Sequence, residues 1–282
     1  MTEPTSDFHI HGFLGITSDT NAIHFWNENP EWHELVLNLH SIAIAAFQKV
    51  QVGNRDPQRI LAYTVFYRLL TSYQAVALLS ARGMDVEAKV MLRMMTEAII
   101  VLVATSKDQS FAVRFIKADE DIRRRLLSST LEVETKPEPG QKLFVTPLQI
   151  EQMKAELAEL EHRRTNKILV NKIEIKEIAT EAGLLALYRK HFAYFSLFAH
   201  LAPSGMRQFL VTNEKGDITH FRTGVFYDDA VANVRSAIVF VMMGLSTTND
   251  LLSLAVQPAV DGISQRMEAL IARIETAPEG NG

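Results

Sequence analysis

The sequence predicts an all-α protein, an antiparallel helical bundle with one small β-hairpin near residues 208–222. Three observations carry that expectation. Apolar residues recur at spacings of three and four along most of the chain. No regular alternation of strands and helices occurs, which excludes the α/β architectures. Segment 86–105 is apolar on nearly every face, the pattern of a helix surrounded by protein, and 180–202 is a second strongly apolar helix.

Taken in order, residues 1–30 show no sustained period and read as an irregular arm with isolated aromatics (Phe8, Phe13, Phe25, Trp26). A helix starts near Glu31 and carries Leu35, Leu39, Ile42 and Phe47 toward a stop at Gly53-Asn54. Pro57 suits the first turn of a long helix over 57–82, with Ile60, Tyr63, Phe66, Leu70 and Tyr73 on one stripe and Gly83 as its stop. Asp85 suits the N-cap of the apolar helix 86–105. An amphipathic helix follows over 109–133, then the loop TKPEPGQKLFVTP. Residues 148–167 form a polar helix packed along Leu148, Met153, Leu157 and Leu160. The helix 180–202 ends at Pro203 and Gly205. QFLVT and ITHFR flank NEKGD as a hairpin. Asp228 or Asp229 caps a helix over 229–254, 260–276 is a short amphipathic helix, and the tail PEGNG is expected to be disordered. The expected organisation is an N-terminal arm and first helix (1–55), a helical core domain (56–256), and a C-terminal helix with its tail (257–282).

Composition narrows the function classes. The 282 residues include no cysteine, which removes disulfides, thiolate nucleophiles and cysteine-based metal sites, and is compatible with a reducing, cytoplasmic setting. A net charge of −4 gives no global attraction to nucleic acid or to an anionic membrane. The N-terminus lacks a basic segment followed by an apolar one, and no uncharged apolar run of about 18 residues occurs. A soluble protein without cofactor or membrane partner is expected. The apolar residues of helices 31–52 and 229–254 are compatible with a homodimer.

Three motifs read as decoys. His9-x-His11 resembles a metal-binding strand, but lacks the later strands that would complete such a site. Glu159-x-x-His162 is half of a di-iron motif, and the second half is missing. Arg123-Arg124-Arg125, with Arg114 and Lys117, makes a basic strip interleaved with Asp119, Glu120 and Asp121. Local ion pairing accounts for it better than a phosphate- or RNA-contacting face, so nucleic acid is not the favoured partner.

The informative set is Arg93, Glu97, Ser196 and His200, charges and hydrogen-bonding groups on the two most apolar helices. Arg93 and Glu97 share a helix face, as do Ser196 and His200, with Tyr188 two turns earlier. Buried charges must be paired, so the two faces are expected to meet in a polar pocket. Three roles stay open: a network that fixes the bundle's register, a ligand pocket, and a catalytic site. In the ligand-binding case Arg93, Tyr188 and Ser196 hold a small anionic ligand. In the catalytic case His200 is the acid/base, oriented by Glu97. An RNA- or nucleotide-directed hydrolase with Arg93 as phosphate clamp is the alternative function.

AKVMLRMMTE (Ala88 to Glu97), the preceding Leu79–Gly83–Ala88 spacing, and Tyr188, Ser196 and His200 together resemble the bacterial domain-of-unknown-function 5677 family. The resemblance covers roughly residues 60–245. It implies an all-α fold with Arg93, Glu97, Tyr188, Ser196 and His200 as signature positions, and it implies no activity.

Overall fold

The computed structural model describes residues 7–51, 53, 55–136, 145–168, 170–200 and 202–276. In chain order the elements are α1 (Asp7–His11), α2 (Ile16–Glu28), α3 (Pro30–Phe47), α4 (Pro57–Ala81), α5 (Asp85–Lys107), α6 (Gln109–Thr135), α7 (Pro147–Thr165), α8 (Ile175–Glu181), α9 (Leu185–Leu187), α10 (Ala193–Ala199), α11 (Pro203–Met206), β1 (Leu210–Thr212), β2 (Ile218–Phe221), α12 (Ala230–Leu252) and α13 (Gln257–Thr276). A single π turn, Tyr188–Phe192, joins α9 to α10 as one helical rod. The protein is mostly α-helical with one small antiparallel hairpin.

The boundaries follow from local chemistry. Asp56 caps α4 by accepting from the Arg59 amide, and Pro57 takes the first helical position, where no amide partner is needed. Gly83 ends the α4 region at φ 72°, and the Met84 amide reaches back to the Leu79 carbonyl. Asp108 caps α6, and Thr146 with Gln149 forms a capping box on α7. In the hairpin, Asn213 Oδ1 accepts from the Lys215 and Asp217 amides while Gly216 takes the left-handed conformation.

Helices α4, α5, α12 and α3 share the main core. Phe66, Leu69, Leu92, Met95, Ile99, Ile238 and Leu245 are all sealed from solvent there. Gly244 lets α12 approach α4 closely, because a Cβ in its place would sit 2.5 Å from Leu69 Cδ2. Helices α6 and α7 are joined through ion pairs. Arg124 bridges Asp121 (3.1 Å) and Glu161 (2.7 Å), Arg163 meets Glu120 (2.7 Å), and Arg123 meets Glu156.

Several expectations change. Residues 16–28 form a helix rather than an irregular arm; only Ser18 and Phe25 are buried on it, too few to leave a periodic signal. Helix α3 ends at Phe47, earlier than the stop expected at Gly53-Asn54. The segment 180–202 is not one helix, because Gly183 at φ 74° separates α8 from α9. Asp85 and Asp229 are not side-chain caps, since buried partners take their carboxylates. Helix α12 is long and apolar enough by length and composition to cross a membrane, although Arg235 and Asp250 interrupt its apolar run. Yet 56% of its most apolar window is buried inside the bundle, as in a core helix. Most of the proline-rich loop (137–144) and the tail (277–282) lie outside the described residues.

Candidate functional site

Four ionic residues of α5 stand at intervals of four: Asp85, Lys89, Arg93 and Glu97. That spacing lines them along one face of the helix. Exposure rises steadily along the row, with side chains 1%, 5%, 20% and 39% accessible. The rod 185–199 runs antiparallel over this row and covers each cation with an aromatic ring. Lys89 Nζ lies 4.8 Å from the Phe198 ring centre and the Arg93 guanidinium 4.7 Å from that of Phe192.

At the buried end, Lys89 Nζ donates to Asp85 Oδ2 (2.8 Å) and Asp229 Oδ2 (2.7 Å), while Asn233 Nδ2 donates to Asp85 Oδ1 (2.5 Å). Burial pushes the Asp85 carboxyl above its ordinary value, against the pull of Lys89. Burial also works against the Lys89 ammonium, but the hydrogen bonds it donates to Asp229 and Asp85 outweigh that and hold the group above its ordinary value. Both partners therefore shift upward, because desolvation wins at the more buried carboxylate and hydrogen bonding wins at the ammonium. The cluster ties α5 to the start of α12. A second tie lies beside it: the Phe226 amide donates to the Gly83 carbonyl (2.9 Å) and the Tyr227 hydroxyl to that of Ala81 (3.2 Å).

At the outer end, Arg93 meets Glu97 at 3.5 Å, too far for a good hydrogen bond; its Nη1 lies 3.6 Å from the Met94 sulfur, and its Nε is buried with no partner among the described residues. Phe192 organises the residues around it. Its ring underlies Arg93 and stacks on Tyr188 (5.0 Å between centres), and its carbonyl accepts from Ser196 Oγ (2.7 Å). Arg93, Glu97, Tyr188 and Ser196 are thus linked directly or through Phe192. None of them is fully buried, so the sealed pocket anticipated from composition gives way to a half-exposed cluster. His200 stands apart. It is exposed at the C-terminus of α10, and its ring makes no hydrogen bond or ion pair with another described residue. Because the Ser196 hydroxyl points to a carbonyl, no Ser–His pair is formed.

On the other side of the rod lies a groove of about 360 Å³ between the rod and α12, with Lys89 at its floor. Lys190, His191, Tyr194 and Phe195 form one wall, and Asp229, Asn233 and Ser236 the other. Burial, helped by the neighbouring Lys190, holds the His191 imidazole below its ordinary value. A folded-state value below the unfolded one means the fold loses stability as pH falls through about 6.5 toward that lower value. A His191→Phe variant should lack that part of the acid sensitivity, and NMR titration of the ring should place its midpoint below that of a free imidazole.

The remaining motifs have ordinary settings. His11 sits 3.8 Å from Asp7 at the surface, and His162 contacts Asn166 on the exposed face of α7. No group of three or more potential ligands placed to hold a metal occurs among the described residues. In the basic strip, Arg123, Arg124 and Arg125 are paired with carboxylates, as is Arg114 with Glu181. Sequence reasoning took Asp85 and Asp229 for helix caps, and passed over Lys89, Phe192 and Asn233. The repeated spacing of four through Asp85, Lys89, Arg93 and Glu97 is the one signal that could have joined the two ends.

No curated protein and no solved structure matches the chain. The model of a family of unknown function, DUF5677, matches residues 59–217, which holds the whole ionic row and the rod above it. With more than half of its length matched, the chain belongs to the DUF5677 family.

Proposed function

We propose that this protein is a binding bundle that takes a small anionic ligand, a carboxylate or phosphate, at Arg93. The observation that carries the reading is the state of the guanidinium: it lies 4.7 Å over the Phe192 ring, its Nη1 reaches only the Met94 sulfur (3.6 Å), its Nε has no partner among the described residues, and the Glu97 carboxylate stands 3.5 Å away. An arginine placed over an aromatic ring, with no carboxylate at good hydrogen-bond distance, suits bidentate recognition of an anion. Glu97, more than a third exposed, occupies the place that an anion would take and can turn away into solvent. Tyr188 and Ser196 border the same Phe192 platform. A cytoplasmic, bacterial setting forms part of the proposal.

The test uses inorganic phosphate, nucleoside monophosphates and small dicarboxylates, scored by thermal shift and then calorimetry. At least one should bind the native chain. Arg93→Lys keeps the charge but loses the fork, and should weaken binding by about tenfold or more with little change in melting temperature. Equal binding by native and Arg93→Lys protein, or no binding by any of these anions, sinks the proposal. The alternative, a nucleic-acid hydrolase using His200 and Arg93, draws no support from a His200 ring exposed and unlinked to Arg93.

A further inference from the structure

The groove over Lys89 has a chemistry of its own, distinct from the Arg93 cluster on the far side of the rod. Its α12 wall presents acceptors. Asp229 uses Oδ2 on Lys89 and keeps Oδ1 without a donor among the described residues. Asn233 gives its Nδ2 to Asp85, leaving Oδ1 as its other polar atom. Ser236 donates its hydroxyl hydrogen to the Ala232 carbonyl (2.8 Å), so toward a ligand it can only accept. Residues 229, 233 and 236 follow helical spacing and line one wall. A wall of acceptors that includes a half-exposed carboxylate suits a donor-rich cation.

Charge is separated across the groove. Lys89 is matched by Asp85 at the floor, which leaves the Asp229 carboxylate on one wall and the Lys190 ammonium on the other. Tyr194, Phe195 and His191 supply an aromatic surface beside Lys190, and a volume of about 360 Å³ is at the small end of ligand pockets. An anion alone would meet Asp229, and a cation alone would meet Lys190. A molecule with both charges a few bonds apart satisfies both walls.

We infer that the groove binds a small zwitterion of the α-amino-acid type with an apolar or aromatic side chain, its ammonium on Asp229, Asn233 and Ser236 and its carboxylate on Lys190. The experiment is calorimetry on the full chain with L-phenylalanine, L-tyrosine, L-tryptophan and L-leucine, and with 2-phenylethylamine and 3-phenylpropionate as matched single-charge probes. At least one amino acid should bind, and each single-charge probe should bind at least about tenfold more weakly. Lys190→Glu, a change at an exposed side chain, should lower amino-acid binding by about tenfold or more while the melting temperature holds. Arg93→Lys should leave it unchanged, so the two sites fail or stand separately. The inference is overturned if none of the four amino acids binds at millimolar concentration, if the amine or the acid alone binds as tightly, or if Lys190→Glu binds like the native chain.

Discussion

Replacing Lys89 by alanine is expected to destabilise the protein by about 3–5 kcal/mol, the cost of leaving a buried charge without its partner. Asp85, only 1% exposed, would retain Asn233 as its one hydrogen-bond donor among the described residues. Asp229 loses less, because it is half exposed and water can replace the ammonium. The loss should depend on pH in a definite sense. Without Lys89, burial and the neighbouring Asp229 and Asp228 carboxylates raise the Asp85 carboxyl further, so the folded state binds a proton that the unfolded state has released. Stability of Lys89→Ala therefore falls as pH rises above the unfolded carboxylate value of about 3.9, and its deficit is smaller in mild acid than at neutrality. Urea unfolding of both proteins at two pH values reads this directly. Removing both charges together, as Asp85→Leu with Lys89→Met, should recover much of the loss, since neither desolvation cost then remains. A deficit of less than about 1 kcal/mol for Lys89→Ala would mean that the pair behaves like a surface ion pair.

Gly83→Ala should cost on the order of 3 kcal/mol, through two effects acting at one atom. The residue sits at φ 72°, where a side chain is strained, and its new Cβ would lie 2.7 Å from Val225 Cβ and 3.0 Å from the Phe226 amide nitrogen. Backbone cannot step aside as a flexible side chain can. Gly216→Ala is the matched control: φ is 85° and nothing lies within 4 Å of the added carbon, so it should show the strain alone, about 1–2 kcal/mol. Equal losses for the two variants, measured by denaturant midpoint, would remove crowding against 225–226 from the account. Crowding there should also disturb the approach of Asp229 to Lys89, because the displaced segment leads directly into α12.

How far the chain announces its own structure depends on which physical signal each part uses. The α4–α5 region is legible because Pro57, Gly83 and dense apolar periodicity agree. Helix α2 is not, because it buries so few side chains that no period develops. The break before α9 hides for the opposite reason: Leu184, Leu185 and Leu187 continue the apolar run straight past Gly183. At the site, Arg93 and Glu97 stood out as charges in an apolar helix, and the structure does bring them to Tyr188 and Ser196 around Phe192. Asp85 was hidden by its position at a helix start, where an aspartate has an ordinary explanation. Asn233 is 148 residues from Asp85, and no local pattern could reveal that pairing.

The π turn at Tyr188–Phe192 carries a consequence for how this chain can change over time. Such a turn holds one residue more than the α-helical count, and so records a single inserted codon's worth of backbone. Deleting one residue within 188–192 would restore a regular helix but rotate everything after it by about 100° relative to everything before. Leu187, ahead of the turn, now packs on the main core, while Phe198, after it, lies over Lys89 of α5. After the deletion those two facings could not both persist. Length variation should therefore be tolerated in the hairpin turn at 213–217 and selected against here, where a single residue sets the phase of the rod.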